Sequence, residues 1–129
     1  MRSKRKASSR EPPKPGFLGY LDPTEVERTP SGAAWAHEIK WDGYRAQAHL
    51  TEGCATIYTR NGNDWTTRFG PIARAVELLP ARTAILDGEA VAIDRKGAAD
   101  FHELRRQLGQ VHGKIIYKAF DLLWLAVNP

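Results

Sequence analysis

Residues 35–62 read WAHEIKWDGYRAQAHLTEGCATIYTRNG, with Lys40-Trp41-Asp42-Gly43-Tyr44-Arg45 at their centre. Two β-prone stretches, 35–50 and 52–62, meet at Thr51-Glu52-Gly53, an arrangement that predicts a hairpin. In an extended chain Glu38, Lys40 and Asp42 share one face while Ile39 and Trp41 share the other, so one side is charged and the other apolar. A lysine on such a strand has two readings. It can form a surface ion pair with Asp42 on a solvated face. It can also be a nucleophile, because an adjacent cation such as Arg45, or a metal, lowers the amine pKa toward the neutral form that attacks phosphorus.

Downstream, Phe69, Ile72, Val76 and Leu79 recur at helical spacing, with Pro71 suited to a first turn and Pro80 to a stop. Residues 83–94, TAILDGEAVAID, mix β-formers with an Asp-Gly-Glu insert, and Arg95-Lys96-Gly97 turns the chain, which predicts a second hairpin arm. Asp100 precedes Phe101, Leu104 and Leu108, with Glu103 three positions on, resembling a capping box that starts a short helix. The near-continuous apolar run at 115–125 reads as a strand buried on both faces. Upstream, residues 16–32 are rich in turn formers, including Asp22-Pro23 and Thr29-Pro30-Ser31-Gly32, and read as an irregular approach to the first strand. The order β-rich, helix, β-rich, helix, strand predicts an α+β fold of antiparallel sheet flanked by helices.

The 129 residues suffice for one modest domain, and 42% hydrophobic with 26% charged residues is a globular composition. The net charge of +4 is unevenly placed. Residues 1–15 hold six cations against Glu11, a net +5, and the other 114 residues hold 13 cations against 14 carboxylates, a net −1. This Ser/Pro-rich leader has no apolar periodicity and is expected to be a disordered basic arm, residues 16–129 forming the folded domain. Cys54 is the single cysteine, which excludes an internal disulfide framework and reads as a small hydrophobe in a strand. No apolar run is long enough for a membrane span, and the start lacks a secretory apolar stretch, so a cytoplasmic protein is expected. His37, His49, His102 and His112 do not pair at metal-ligand spacing and read as structural or surface residues. Trp35, Trp41, Trp65 and Trp124 are scattered and read as core packing.

Neither a GxxxxGK[ST] loop nor a GxGxxG after a strand is present, which speaks against P-loop and Rossmann chemistry. Three further segments accompany the lysine. Thr59-Arg60-Asn61-Gly62 puts an arginine 20 residues beyond Lys40, where a strand enters a turn. Leu86-Asp87-Gly88-Glu89 puts Glu89 49 residues beyond it, among apolar strand residues where a metal or a ribose hydroxyl would satisfy the carboxylate. Phe120-Asp121 interrupts the last apolar run 80 residues beyond, and Phe120 taken alone reads as a core residue.

In this order the four segments resemble the covalent nucleotidyltransferase superfamily of ATP-dependent DNA ligases, RNA ligases and messenger RNA capping enzymes. HEIKWDGYR, YTRNGNDWTTRF, LDGEAVAID and YKAFDLLWL are most similar to the adenylation domain of bacterial non-homologous end-joining DNA ligases, and the similarity covers about residues 16–127. The resemblance implies that Lys40 attacks the α-phosphate of ATP to form a lysine-adenylate. AMP would then pass to a DNA 5′-phosphate and be displaced by a 3′-hydroxyl. It further implies that Glu38 and the Ile39 backbone read the adenine edge, that Arg45 and Arg60 bind ribose or phosphate, and that Asp42 supports the lysine. Glu89 would hold the ribose or a Mg²⁺ or Mn²⁺ ion, and Phe120 would stack on adenine.

Members of this family continue into an EGxVxK-type segment, a KxK-type segment and an OB-fold, which this sequence does not contain. The expectation is therefore a truncated adenylation domain, inactive in sealing or completed by a second chain, with residues 115–125 left as a hydrophobic edge. The implied partners are nicked or broken duplex DNA and end-joining repair proteins, in a DNA-associated bacterial setting. An RNA ligase or capping-type enzyme, or a noncatalytic nucleotide-binding remnant, are the competing readings.

Overall fold

The computed structural model describes residues 13–20, 31–34, 41–110 and 114–127. Strand β1 is Tyr44–Thr51 and β2 is Cys54–Thr59; helix α1 is Gly70–Glu77, β3 is Thr83–Ala92, helix α2 is Phe101–Gln107 and β4 is Ile115–Ala126. The four strands form one antiparallel sheet in the order β2-β1-β3-β4.

The expected hairpin is present. Glu52 and Gly53 both take positive φ, +47° and +80°, which gives the two-residue turn the handedness that matches strand twist. Thr51 pairs with Cys54 across it. The predicted stretch 35–50 is interrupted at residues 41–43, however. Trp41 to Gly43 form a bend ahead of β1, and Asp42 is exposed there instead of alternating along a strand. Glu38, Ile39 and Lys40 lie outside the described residues. Cys54 stands in a strand as expected but is exposed at its start, not packed as a hydrophobe.

Alternation along β1 sends Ala46, Ala48 and Leu50 to one face and Arg45, Gln47 and His49 to the other. On the first face Ala46, Ala48, Leu50 and Ile57 join Phe69, Ile72 and Val76 of the α1 region and Leu104 of α2 in the core. Pro71 lies in the first turn of α1 as read from the sequence. The helix stops at Glu77, so Leu79 falls off the buried stripe and is 40% exposed. For α2 the cap is as expected: the Asp100 carboxylate accepts from the Glu103 amide at 3.1 Å.

The opposite face of β1 is also buried, which alternation alone does not predict. Residues 13–20 cross it as an irregular strap. The Leu18 amide donates to Gln47 Oε1 and Gln47 Nε2 donates to the Leu18 carbonyl, both at 2.9 Å. Lys14 Nζ donates to His49 Nδ1 at 2.8 Å, so Lys14 is seated on the sheet although the sequence pattern assigns it to the basic arm. Residues 1–12 lie outside the described residues.

Two sequence readings of the later strands need correction. The Arg95–Gly97 turn closes only an isolated bridge between Ile93 and Ala99, and β3 reaches its neighbour β4 through α2, not through a tight hairpin. β4 is not buried on both faces. Among the described residues it is the sheet edge, with Ile116, Phe120, Leu122, Leu123 and Leu125 each at least 40% exposed. Burial on both faces requires neighbours that an apolar run cannot itself specify.

Candidate nucleotide site

Two glycines set the geometry of the site. A Cβ on Gly43 would lie 2.0 Å from the Ala90 carbonyl oxygen, so the bend after Asp42 presses directly against β3. A Cβ on Gly88 would lie 2.7 Å from the Tyr117 ring, which crosses β3 at that point and donates through its hydroxyl to the Ala46 carbonyl at 2.8 Å. The glycines of KWDG and LDGE therefore let the chain pack closely around the site, while the neighbouring residues carry the chemistry.

Arg45 on β1, Glu89 on β3 and Lys118 on β4 are in register across the sheet. Arg60 enters from the turn after β2, where the Gly62 amide donates to the Thr59 carbonyl at 2.9 Å. Arg45, Arg60 and Glu89 line one open cleft of about 380 Å³ together with Gly43, Asn63 and Trp65. This is within the size range of small-molecule sites. Two guanidinium groups and a carboxylate suit a ligand with phosphate and hydroxyl oxygens. Trp65 is half-buried: it packs on the core, as its sequence context predicts, and also forms a wall of the cleft.

Arg45 is held by a buried carboxylate. Its Nε donates to Asp87 Oδ1 at 2.8 Å and its Nη2 to Oδ2 at 2.6 Å, a bidentate pair. Hydrogen bonding to Asp87 outweighs burial and raises the Arg45 pKa further, so the guanidinium is fixed as a cation. The Tyr20 hydroxyl donates to Asp87 Oδ1 at 3.0 Å, and burial pushes its pKa up to about 12, which keeps it protonated. The Arg45 guanidinium carbon lies 4.6 Å from the Tyr20 ring centroid and 4.9 Å from that of Phe120.

The structure thus brings Arg45, Arg60 and Glu89 together, and places Phe120 against Arg45. Register shifts in the β3–β4 pairing around Asp87 and Gly88 leave Phe120 unpaired between Ala119 and Asp121, a bulge that redirects its ring. Phe120 and Asp42 do not line the cleft, although Asp42 immediately precedes Gly43, which does. Sequence reasoning missed Tyr20, Asp87 and Lys118. Asp87 carried a signal, since a carboxylate in a buried strand needs a partner. Lys118, whose Nζ lies 4.8 Å from the Trp41 ring centroid, carried none that distinguished it from a surface lysine.

The family model described as ATP dependent DNA ligase domain matches residues 22–129. The chain belongs to the ATP-dependent DNA ligase domain family. Among curated relatives it is 36% identical over 121 residues to the multifunctional non-homologous end joining protein LigD of Pseudomonas aeruginosa, covering 93% of this chain and 14% of that protein. It is 50% identical over 58 residues to a DNA ligase of Pyrobaculum calidifontis, covering 44% of this chain and 10% of that one. Of solved structures, a mycobacterial DNA ligase D complexed with ATP and MES matches with a TM-score of 0.61 at 31% identity, over 70% of this chain and 30% of that one. The ligase domain of Mycobacterium tuberculosis LigD matches with a TM-score of 0.59 at 32% identity, over 70% of this chain and 30% of that one. The chain thus spans a small part of the ligases it matches. Its α+β architecture is that of the matching part of those domains.

The remaining sequence-level site assignments have simple outcomes. Among the described residues no group of three or more His, Cys, Asp or Glu side chains gathers to hold a metal. His49 is buried and hydrogen-bonded to Gln47 and Lys14, and His102 is exposed on α2; His37 and His112 lie outside the described residues. Among the described residues no helix is long and apolar enough to cross a membrane.

Proposed function

We propose that this chain carries the nucleotide-binding part of an ATP-dependent DNA ligase and takes AMP covalently on Lys40. The observation that carries this reading is the cleft in which Arg45, Arg60 and Glu89 converge beside Gly43, three positions after Lys40. In the first step the neutral Lys40 amine attacks the α-phosphorus of ATP. A P–N bond forms, the bond to the β-phosphate oxygen breaks, pyrophosphate leaves and the amine loses its proton. Arg45 and Arg60 bind phosphate or ribose oxygens and stabilise charge that develops at phosphorus. Their positive charge also favours the neutral amine. Glu38 and the Ile39 backbone read the adenine edge, Phe120 offers an aromatic face to the base, and Asp42 supports the lysine.

The cleft fits a metal that arrives with its substrate, not a cage built by the protein. Among the described residues Glu89 is the one carboxylate lining it, and a Mg²⁺ or Mn²⁺ ion typically pairs one or two carboxylates with substrate phosphate oxygens. Such an ion would supply charge neutralisation on the triphosphate. The later steps, transfer of AMP to a DNA 5′-phosphate and its displacement by a 3′-hydroxyl, assign nicked or broken duplex DNA as the partner. The cations in residues 1–12 would add sequence-independent phosphate contacts.

The test is intact-mass and peptide mass spectrometry after incubation with ATP and Mg²⁺. A single adenylate on Lys40, absent in Lys40→Ala, is the expected result. An adduct on Lys114 or Lys118, or adduct formation from GTP in preference to ATP, would overturn the assignment, the second outcome indicating capping-type chemistry.

A further inference from the structure

Arg45 has a long, flexible side chain, yet in this structure it is held along one edge and beside two aromatic rings. The edge partner, Asp87, is 3% exposed and anchored in β3. Phe120 is supplied by the β4 bulge. The other ring, Tyr20, comes from the strap and belongs to none of the four segments that carry the family resemblance. Its hydroxyl donates to the same Asp87 oxygen that Arg45 Nε engages. Three groups from three separated parts of the chain therefore fix one guanidinium.

This arrangement limits what Arg45 can recognise. Two of its five N–H donors are directed to Asp87, leaving three for other acceptors. With rings beside the guanidinium, a base stacked on it would compete with Tyr20 or Phe120. The three remaining N–H donors suit oxygen acceptors, and a phosphate or a ribose diol presents such acceptors.

We propose that Tyr20 is a positioning residue for nucleotide recognition, holding its ring against Arg45 and hydrogen-bonding to Asp87 so that the guanidinium presents its remaining donors to the oxygens of a nucleoside triphosphate. The proposal rests on the nucleotide reading of the cleft. It adds Tyr20, and no other residue of the strap, to the nucleotide site, although Tyr20 itself does not line the cleft.

The test compares the full chain with Tyr20→Leu, Tyr20→Phe and, as a strap control away from Arg45, Lys14→Met. Hydrogen exchange of the Arg45 Nε–H by NMR reads the bracket without nucleotide, and the ATP dependence of lysine-adenylate formation reads its use. Tyr20→Leu is expected to accelerate Nε–H exchange and to raise the half-saturating ATP concentration about tenfold, with the saturating rate within about twofold. Tyr20→Phe keeps the ring and is expected to recover most of the ATP affinity. Lys14→Met is expected to lower the melting temperature while leaving the ATP dependence in place. The proposal is overturned if Tyr20→Leu changes only the melting temperature, or if Lys14→Met moves the ATP dependence equally. It is also overturned if Nε–H exchange in Tyr20→Leu matches the unsubstituted chain, whatever the nucleotide result. Failure of the unsubstituted chain to bind ATP, with Arg45 Nε–H still protected, would instead remove the functional reading and this role with it.

Discussion

The two faces of the sheet are buried by different means. Toward the helices, Ala46, Ala48, Leu50 and Ile57 pack against Phe69, Ile72 and Leu104, an apolar layer stabilised by area removed from water. Toward the strap, Gln47, His49 and Asp87 are equally hidden but each has hydrogen-bonded partners, and no buried polar side-chain atom among the described residues lacks one. The apolar face can lose a contact and repack partially. The polar face depends on each partner, because an unpaired buried donor or acceptor retains its full desolvation cost. The candidate site lies at the end of the polar face, where directional partners orient Arg45.

The largest effect should come from the apolar face. Phe69 is fully buried, and Phe69→Ala is expected to cost about 3–5 kcal/mol and lower the melting temperature by more than about 10 °C, as followed by circular dichroism. A smaller loss would mean that the strap face carries more of the stability than its composition indicates.

The polar face should reveal itself through pH. Burial first, and then the Lys14 charge, lower the His49 pKa from 6.5 to about 4. The neutral ring accepts from Lys14 at Nδ1 and donates from Nε2 to Gln47 Oε1 at 2.7 Å. Because the folded pKa is depressed, the unfolded chain protonates first as pH falls. The stabilisation is therefore present above about 6.5 and lost progressively toward 4. Urea titrations at pH 7 and pH 4.5 should differ by on the order of 2–3 kcal/mol through this residue. His49→Asn should remove that part of the pH dependence, whereas Phe69→Ala should leave it in place.

A smaller and more local effect is expected from Gln47→Leu. The substitution deprives the Leu18 amide and carbonyl of their side-chain partner and removes the acceptor for His49. A cost of about 2 kcal/mol is expected, with faster amide exchange at Leu18 and unchanged protection at Ile57. Equal acceleration at both amides would show that the two faces open together and do not behave as separate layers.

Much of the fold was legible because it rests on local rules. The turn at Glu52-Gly53, the proline in the first turn of α1 and the Asp100 cap each depend on a few adjacent residues. The cleft was legible in part. Arg45, Arg60 and Glu89 were assigned to the nucleotide through the family resemblance of their segments, and they meet. The break at 41–43 was not legible, because the alternation of Trp41 and Asp42 does not show that Gly43 is pressed into a bend by Ala90. Tyr20 was not legible, since a tyrosine in a turn-rich segment has no local signature of a partner 67 positions away.

What the sequence determined by itself is which residues can carry the chemistry and which short segments turn, cap or extend, because those properties belong to side chains and their immediate neighbours. Tertiary structure alone decided that a polar row in β1 is buried beneath a strap and that Arg45 is fixed by Tyr20, Asp87 and Phe120. Each of these depends on which distant segment lies alongside, and strand order, register and a bulge set that proximity through contacts whose partners are not encoded at either position alone.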